Sequence, residues 1–223
     1  MVEDLVAGHQ RFRAEFAFRE RAFLAGLAAD GQRPAAVFIG CSDSRVIPEL
    51  LTDSGPGQLF VVRNVANRVP SRVEGDRSVP AAIAFALDQL GVRDIIVCGH
   101  DDCGGVKAAL NDLAGLDPGS HLATWLGGVR PAVEAARSAD PDPVVQLRRA
   151  IEENVLIGVA TLASDWVPRP AGGSADQVRL HAWVYGLGDG SLRVFDDDLN
   201  RFVPVAELSL LPDHREAGQE AQL

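Results

Sequence analysis

The residues best suited to chemistry lie in two short motifs, each directly after an apolar run. The first motif is Cys-Ser-Asp-Ser-Arg at 41–45, and it follows the strand-like segment 36–40. Side chains of an extended chain alternate between two faces, so Cys41, Asp43 and Arg45 are expected to share one face. The motif therefore predicts a soft sulfur donor, a carboxylate and a guanidinium side by side at the end of a buried strand.

The second motif is Gly-His-Asp-Asp-Cys-Gly-Gly at 99–105, which follows the apolar run 95–98 and leads into a helix-like segment. Sites in open α/β sheets form at the carboxyl ends of the strands, so His100 and Cys103 are expected near Cys41. Two sulfurs and one imidazole are a ligand set that suits zinc. The two motifs predict one Zn²⁺ per chain, with Asp43 as a candidate fourth ligand.

Two other interpretations of these residues stay open. Cys98 lies two residues before His100, and an extended strand can place both on one face, although a small cysteine inside a strand is more often a core residue. A closed structural zinc site usually has four Cys or His ligands, whereas this set has three such donors and a carboxylate beside an arginine. That composition favours a fourth position that can open, with zinc-bound hydroxide as the nucleophile.

The two motifs, with Arg-Asn-Val-Ala-Asn at 63–67 between them, resemble those of the β-class carbonic anhydrases. The similarity runs from Gly-His-Gln-Arg-Phe at 8–12 to His-Ala-Trp-Val-Tyr at 181–185 and so covers most of the chain. This resemblance implies reversible hydration of carbon dioxide to bicarbonate and a proton by attack of zinc-bound hydroxide. It also implies a homodimer or tetramer whose sites lie near the subunit boundary.

The resemblance assigns roles to individual side chains. Asp43 accepts a hydrogen bond from the nucleophile while Arg45 holds it in a bidentate pair, and it becomes the fourth zinc ligand in a closed state. Where many relatives read Ile-Glu-Tyr-Ala, this chain has Ile-Ala-Phe-Ala at 83–86, which leaves that side of the pocket apolar. The residues expected to line the substrate pocket are Gln32, Phe60, Val62, Val65, Ala66, Phe85, Gly104 and Gly105.

Two other functions are compatible with the same residues. Relatives with this zinc set hydrolyse carbonyl sulfide or carbon disulfide, and the sequence does not separate that activity from hydration of carbon dioxide. A catalytically silent zinc protein that binds bicarbonate or a partner is the third hypothesis. The presence of both Asp43 and Arg45 argues against it.

The pattern of apolar segments predicts an α/β fold, with a mostly parallel central sheet flanked by helices. Strand-like and helix-like segments alternate along the middle of the chain, which indicates parallel strands joined by helices. N-terminal helices precede the sheet, and a C-terminal antiparallel edge strand or hairpin follows it. The expected strands are 36–40, 59–63 and 95–98, the expected hairpin is 179–195, and the expected helices are 3–29, 78–90 with Ser78 as its cap, 119–139 interrupted by Pro131, and 143–164.

The composition indicates one globular domain. The chain has 223 residues, of which 47% are hydrophobic, and we expect a single domain over 1–208 with a mobile tail at 209–223. The formal charge of −10 argues against nucleic acid and anionic membranes as partners. An acidic N-terminus, three cysteines and the lack of a long apolar segment predict a cytoplasmic protein without disulfides.

Overall fold

The computed structural model describes residues 1–167 and 177–208, and its centre is a six-stranded sheet with the strand order β2-β1-β3-β4-β5-β6. The first four strands in that order are parallel, and β5 and β6 are antiparallel to their neighbours. The strands are β1 Ala36–Cys41, β2 Leu59–Asn64, β3 Asp94–His100, β4 Arg179–Tyr185, β5 Leu192–Asp196 and β6 Arg201–Pro204. The predicted mostly parallel sheet with a C-terminal antiparallel hairpin is confirmed. Strand β6 was missed because a polar run at 196–201 precedes it.

The pairing of β1 with β3 aligns the two sequence motifs. Gly40 lies opposite Cys98 in the parallel register, so β1 and β3 end at the same edge of the sheet. Cys41 is the last residue of β1 and His100 the last residue of β3. On the other side of β1, Cys41 lies opposite Asn64 at the end of β2. Three strand ends therefore meet where the site was predicted.

Helices cover one face of the sheet more deeply than the other. Val37 and Ile39 belong to the large core under the helices, whereas Phe38 belongs to a smaller cluster on the opposite face. Every residue of β1 is buried, as expected for a central strand of a parallel sheet. The helices are α1 Val2–Phe12, α2 Arg21–Asp30, α3 Pro48–Leu51, α4 Ser78–Ala84, α5 Gly104–Leu110, α6 His121–Gly127, α7 Arg130–Ala139, α8 Pro143–Thr161 and α9 Val205–Leu208.

Several predicted helices are shorter than their apolar patterns indicated. The segment 3–29 divides into α1 and α2 around a π-helical turn at Arg13–Ala17, and neither helix buries a residue within the chain. The segment 119–139 divides into α6 and α7, and Pro131 lies in the first turn of α7. A continuous apolar periodicity does not reveal such breaks, because a π turn or a short connection shifts the helix phase by only one or two residues.

The predicted cap of α4 was wrong. Ser78 is the first residue of the helix, and the carboxylate of Asp76 accepts a hydrogen bond from the Val79 N–H instead. α4 ends at Ala84, and a π-helical turn at Phe85–Gln89 continues it. Asp and Ser are both favoured as caps, and only the backbone path decides between two that lie two residues apart.

Two further expectations concern the C-terminal tail and membrane-spanning segments. The predicted mobile tail at 209–223 lies outside the described residues. Among the described residues, no helix is both long enough and apolar enough to cross a membrane.

α8 approaches β3 most closely at Gly99, directly before His100. A Cβ atom placed on Gly99 would lie 2.8 Å from Cγ2 of Val155 and 3.2 Å from Cγ2 of Ile151. Both contacts are closer than a packed core permits, so this position must lack a side chain for α8 to cover the strand.

We predict that Gly99→Ala lowers the free energy of unfolding by about 1–3 kcal/mol, because the added methyl group overpacks the contact between β3 and α8. Chemical denaturation of the metal-free protein would measure this. Gly26→Ala is the matched control, since its Cβ would meet no atom within 4 Å and alanine favours the helix. Equal stability of the two variants would contradict the prediction.

Candidate metal centre

Cys41, His100 and Cys103 lie together at the carboxyl edge of the sheet, and all three are buried. One ligand atom from each residue lies within 4.8 Å of the others. Cys41 ends β1, His100 ends β3, and Cys103 directly precedes α5. The structure thus brings together the three side chains that the sequence predicted as metal ligands.

The ring of His100 is oriented by the backbone next to it. Its Nδ1 lies 2.8 Å from the carbonyl oxygen of Asp101, an acceptor, so Nδ1 carries the proton and donates it. Nε2 is then left with a free lone pair, and it is buried without a hydrogen-bond partner in the described residues. A buried polar atom without a partner is costly. A metal ion would satisfy it, and a histidine ligand is usually held in this way through its other nitrogen.

The spacing of the two sulfur atoms fits a tetrahedral ion. Two thiolates bound to zinc at about 2.3 Å are separated by about 3.8 Å in tetrahedral geometry. The Sγ atoms of Cys41 and Cys103 are 4.0 Å apart. The donor set and its spacing therefore suit zinc without a rearrangement of the backbone.

Without a metal ion, the pKa values of the two hydrogen-bonded thiols are shifted in opposite directions. The hydrogen bond from Cys103 lowers the pKa of Cys41, and backbone N–H groups of Asp43 and Ala66 lower it further. The same hydrogen bond, together with burial, raises the pKa of Cys103 above its usual value. The pair thus holds one proton that a metal ion would displace, since metal binding to thiols releases protons.

The field of the cluster favours positive charge at its centre. Burial opposes protonation of His100, but the adjacent Cys41 sulfur and the negative charges of Cys41 and Asp43 outweigh it and raise the pKa of the ring. The same negative field favours binding of a divalent cation.

Asp43 and Arg45 form the bidentate pair that was predicted. Arg45 Nε lies 2.9 Å from Oδ1 of Asp43, and Nη2 lies 2.7 Å from Oδ2. The Arg45 N–H also donates to Oδ1 at 3.0 Å, and these hydrogen bonds hold the pKa of Asp43 well below its usual range. Oδ2 is 3.9 Å from the free Nε2 of His100. An ionised carboxylate thus stands beside the open side of the cluster.

Arg63 was missed as a site residue by the sequence analysis. Its Nε donates to the carbonyl oxygen of Cys41 at 2.9 Å, and its Nη2 donates to that of Asp43 at 2.6 Å. The guanidinium thereby fixes the backbone of the first motif. The sequence feature that could have revealed this role is an arginine near the end of β2, the strand that pairs with β1.

Asp102 also has a role that the sequence did not reveal. Its side chain is half exposed, but it accepts a hydrogen bond from Arg45 at 3.4 Å and another from Lys107. Its backbone adopts φ 60° in the turn between the two ligands of the second motif. The pair of Asp43 and Arg45 is therefore extended by two further charges.

The segment 64–68 forms one wall beside the cluster and is held from several sides. The Asn64 side chain caps it through the N–H and carbonyl of Arg68, at 2.6 and 2.9 Å. Trp125 donates to the carbonyl of Val65 at 2.8 Å, and Asn154 donates to that of Ala66 at 2.9 Å. These contacts keep a loop with left-handed backbone at 66 and 67 in one conformation.

The predicted pocket residues fall into two groups. A Cβ on Gly105 would lie 3.0 Å from Ala66 and 3.1 Å from Val65, so these three are in contact, and Gly104 follows Cys103 directly. The second group lies towards the other end of the strands. Phe60 stacks on Phe85 with the ring centroids 6.0 Å apart, and it lies opposite Val37 near the start of β1. Val62 lies opposite Ile39. Gln32 is exposed and precedes β1, at the opposite end from Cys41.

The expected pocket stays a prediction, and within one chain its two groups lie at different distances from the metal cluster. Phe60 lies opposite Val37, four residues before Cys41, and is therefore about 13 Å from the cluster end of β1 at about 3.3 Å per residue. Gln32 precedes β1, and Phe85 stacks on Phe60. A resemblance between sequences assigns a side chain to a pocket, but it does not state which subunit's pocket receives that side chain.

Cys98 lies on the other face of the sheet from the cluster. It packs with Phe38 and Ile96, is fully buried, and donates to the carbonyl of Gly99 at 3.3 Å. Burial raises the pKa of the Cys98 thiol, which keeps it protonated. Its expected role as a core residue agrees with this position.

The chain is similar to carbonic anhydrases in sequence and in structure. A family model described as carbonic anhydrase matches residues 36–192, which include both motifs. A carbonic anhydrase of Pseudomonas aeruginosa is 37% identical over 222 residues, covering 98% of this chain and 97% of that protein. The β-carbonic anhydrase CcaA has a TM-score of 0.78 at 31% identity, covering 91% of both chains. One chain from the tetrameric β-carbonic anhydrases of Sordaria macrospora has a TM-score of 0.72 at 26% identity, covering 86% of this chain and 95% of that one.

We predict that Cys103→Ser abolishes stoichiometric metal binding, because a serine hydroxyl is a poor substitute for a thiolate. Cys98→Ser is the matched control, and it should keep its metal because a hydroxyl there can still donate to the Gly99 carbonyl. Metal content by elemental analysis, with X-ray absorption to count sulfur ligands near about 2.3 Å, would test both variants. Metal loss in Cys98→Ser with retention in Cys103→Ser would reverse the assignment.

Proposed function

Because the chain belongs to the β-class carbonic anhydrases, we propose that it hydrates carbon dioxide reversibly to bicarbonate and a proton with one zinc ion on Cys41, His100 and Cys103. The observation that carries this proposal is the unpartnered Nε2 of His100 within a Cys-His-Cys cluster, 3.9 Å from the carboxylate of Asp43. Zinc bound there would supply hydroxide by lowering the pKa of a water molecule.

The residues around the cluster orient the reaction. Asp43 has only acceptor oxygens while it is ionised, and Arg45 occupies both of them from one side. Oδ2 lies 3.9 Å from Nε2 of His100, so it would accept a hydrogen bond from a nucleophile bound at the cluster and would orient its attack. Arg63 holds the backbone beneath this carboxylate. Asp43 is therefore proposed as the orienting residue, and Arg45 as the residue that keeps it off the metal.

The wall of the pocket suits a small molecule without charge. Val65 and Ala66 have apolar side chains, and Gly105 packs directly against both, since a Cβ there would lie 3.0 Å from Ala66 and 3.1 Å from Val65. Carbon dioxide has no net dipole and needs no polar partner in such a space, whereas bicarbonate, the charged product, is better solvated by water. An apolar wall therefore favours entry of the substrate and release of the product.

A homo-oligomer is the proposed functional unit. The relatives from Sordaria macrospora are named as tetramers. In this chain α1 and α2 bury none of their residues, and Val2, Leu5, Phe12 and Phe18 are exposed. Apolar helices without cover within the chain are typical of subunit interfaces. A dimer or tetramer would also give Gln32, Phe60 and Phe85 a route to the pocket of a second subunit.

The cytoplasmic location and the single domain over 1–208 stay predictions. Cys41, Cys98 and Cys103 are all free and buried, which supports a reducing compartment.

We predict measurable hydration of carbon dioxide in stopped-flow assays, with activity that rises with pH and needs about pH 8 or above. Two thiolates neutralise the formal charge of zinc, so acidification of water is weaker than in an all-histidine site, where the pKa is about 7. The lowered pKa of Asp43 keeps it ionised over this range, so its protonation does not shape the profile.

Carbonyl sulfide is the discriminating second substrate in the same assay. Hydrolysis of carbonyl sulfide without hydration of carbon dioxide would replace the proposal by the alternative function. A zinc-loaded protein that turns over neither substrate would favour the silent zinc protein. Full activity of the metal-free protein would exclude the proposed mechanism.

We predict that Arg45→Ala lowers the hydration rate about 10- to 100-fold while zinc stays bound, because Asp43 is then free to move onto the metal. Parallel measurements of turnover and zinc content would test this. Arg137→Ala is the matched control, since Arg137 forms a similar two-point pair with Asp112 at 3.0 and 3.1 Å outside the site. Near-normal turnover in Arg45→Ala would contradict the role of the pair.

A further inference from the structure

The turn between His100 and Cys103 is anchored at its first residue, Asp101. The Asp101 N–H donates to the carbonyl of Tyr185 at 2.9 Å, and the Asp101 carbonyl accepts from Nδ1 of His100 at 2.8 Å. The side chain of Asp101 accepts from Nη2 of Arg193 at 3.3 Å. The peptide that orients His100 is thus fixed on one side by β4 and on the other by Arg193.

Arg193 reaches this turn from β5 on the helix-covered face of the sheet. It lies opposite Val184 in the antiparallel register, and Val184 belongs to the core under the helices. Its other guanidinium nitrogen donates to Glu152 of α8. The side chain is only 13% exposed. A nearly buried guanidinium with two carboxylate partners is strongly fixed, because water screens it little.

We propose that Arg193 is a positioning residue for the metal centre, acting through Asp101 to hold the ring of His100 in its metal-binding orientation; this inference rests on the proposed zinc site. Arg193 contacts none of the three cluster residues directly. Its effect passes through the Asp101 side chain, which ties down the peptide whose carbonyl holds Nδ1. Without the ion pair between Arg193 and Asp101, the Asp101 carbonyl can rotate, and the lone pair of His100 Nε2 is then no longer held in one direction.

The neighbouring Arg148 provides a matched comparison. It also donates to Glu152, at 3.2 Å, but it does not contact Asp101, and its side chain is 63% exposed. Arg148→Ala therefore removes a cation from the same carboxylate and leaves the ligand turn untouched. A general effect of charge or of α8 stability would appear in both arginine variants, whereas a positioning effect would appear in one.

The expected effect is about a tenfold loss of zinc affinity in Arg193→Ala, at the lower end of what removal of an outer partner of a ligand costs. Asp101→Ala should show the same loss, since the side chain of Asp101 is the only route proposed. The double variant should lose no more than either single variant, because both changes remove one interaction. The Arg148→Ala variant should bind zinc with the same affinity as the wild-type protein.

The experiment is competition for zinc between each full-length variant and a chromophoric chelator, with the absorption spectrum of the cobalt-substituted protein as a second readout. Circular dichroism of the metal-free variants checks their fold. The Asp101 side chain is 49% exposed, so Asp101→Ala should fold and carry the test even where Arg193→Ala does not. Arg193→Lys should recover part of the affinity, because an ammonium can still reach one carboxylate.

Three results would overturn the inference: unchanged zinc affinity in Asp101→Ala, additive losses in the double variant, or an equal loss in Arg148→Ala. A cobalt spectrum identical to that of the unchanged protein in both Arg193→Ala and Asp101→Ala would overturn it as well. Failure of the proposed function is separate, since it would appear in the unchanged protein as the absence of a zinc site or of hydration.

Discussion

The parallel pairing of β1 with β3 is the constraint on which the site depends. It aligns Gly40 with Cys98, and so places Cys41 and His100 at neighbouring strand ends although 58 positions of sequence separate them. The pairing in turn requires that a helix can cover β3 closely, which Gly99 permits by its lack of a side chain. One backbone register and one missing methyl group thus determine where the sulfur and nitrogen ligands meet.

Around the cluster, charge is arranged in two separate sets. On the exposed side, Asp43, Arg45, Asp102 and Lys107 form a chain of alternating sign. On the helix side, Arg193 lies between Asp101 and Glu152 in a more buried environment. The exposed set is screened by water and salt, so it suits a carboxylate that must be able to move. The buried set suits a ligand that must stay fixed.

The fold class, both ligand motifs and the pairing of Asp43 with Arg45 were predictable because each depends on local spacing. β1 ends at Cys41, and Asp43 and Arg45 meet through a turn in which the Arg45 N–H donates to Asp43. A histidine three residues before a cysteine fits one turn. The partners of Arg63, Asp102 and Arg193 were not predictable, since each joins residues that only tertiary packing brings together. The break around Arg13–Ala17 was missed because the apolar periodicity continues across it, whereas the break expected at Pro131 lies at Gly128, just before α7 begins. The assignment of Gln32 to a pocket stays a prediction, because the sequence does not specify which subunit's pocket receives it.

The left-handed backbone at Ala66 limits how the wall of the pocket can evolve. Ala66 has φ 65°, a conformation that costs a residue with a side chain about 1–2 kcal/mol relative to glycine. Glycine at this position would remove that cost, but it would also remove the methyl group that faces Gly105 and widen the space beside the cluster. Larger residues would add both strain and bulk. Position 66 therefore combines a strained backbone with a buried methyl group packed against Gly105, so any substitution there changes the backbone strain and this contact together.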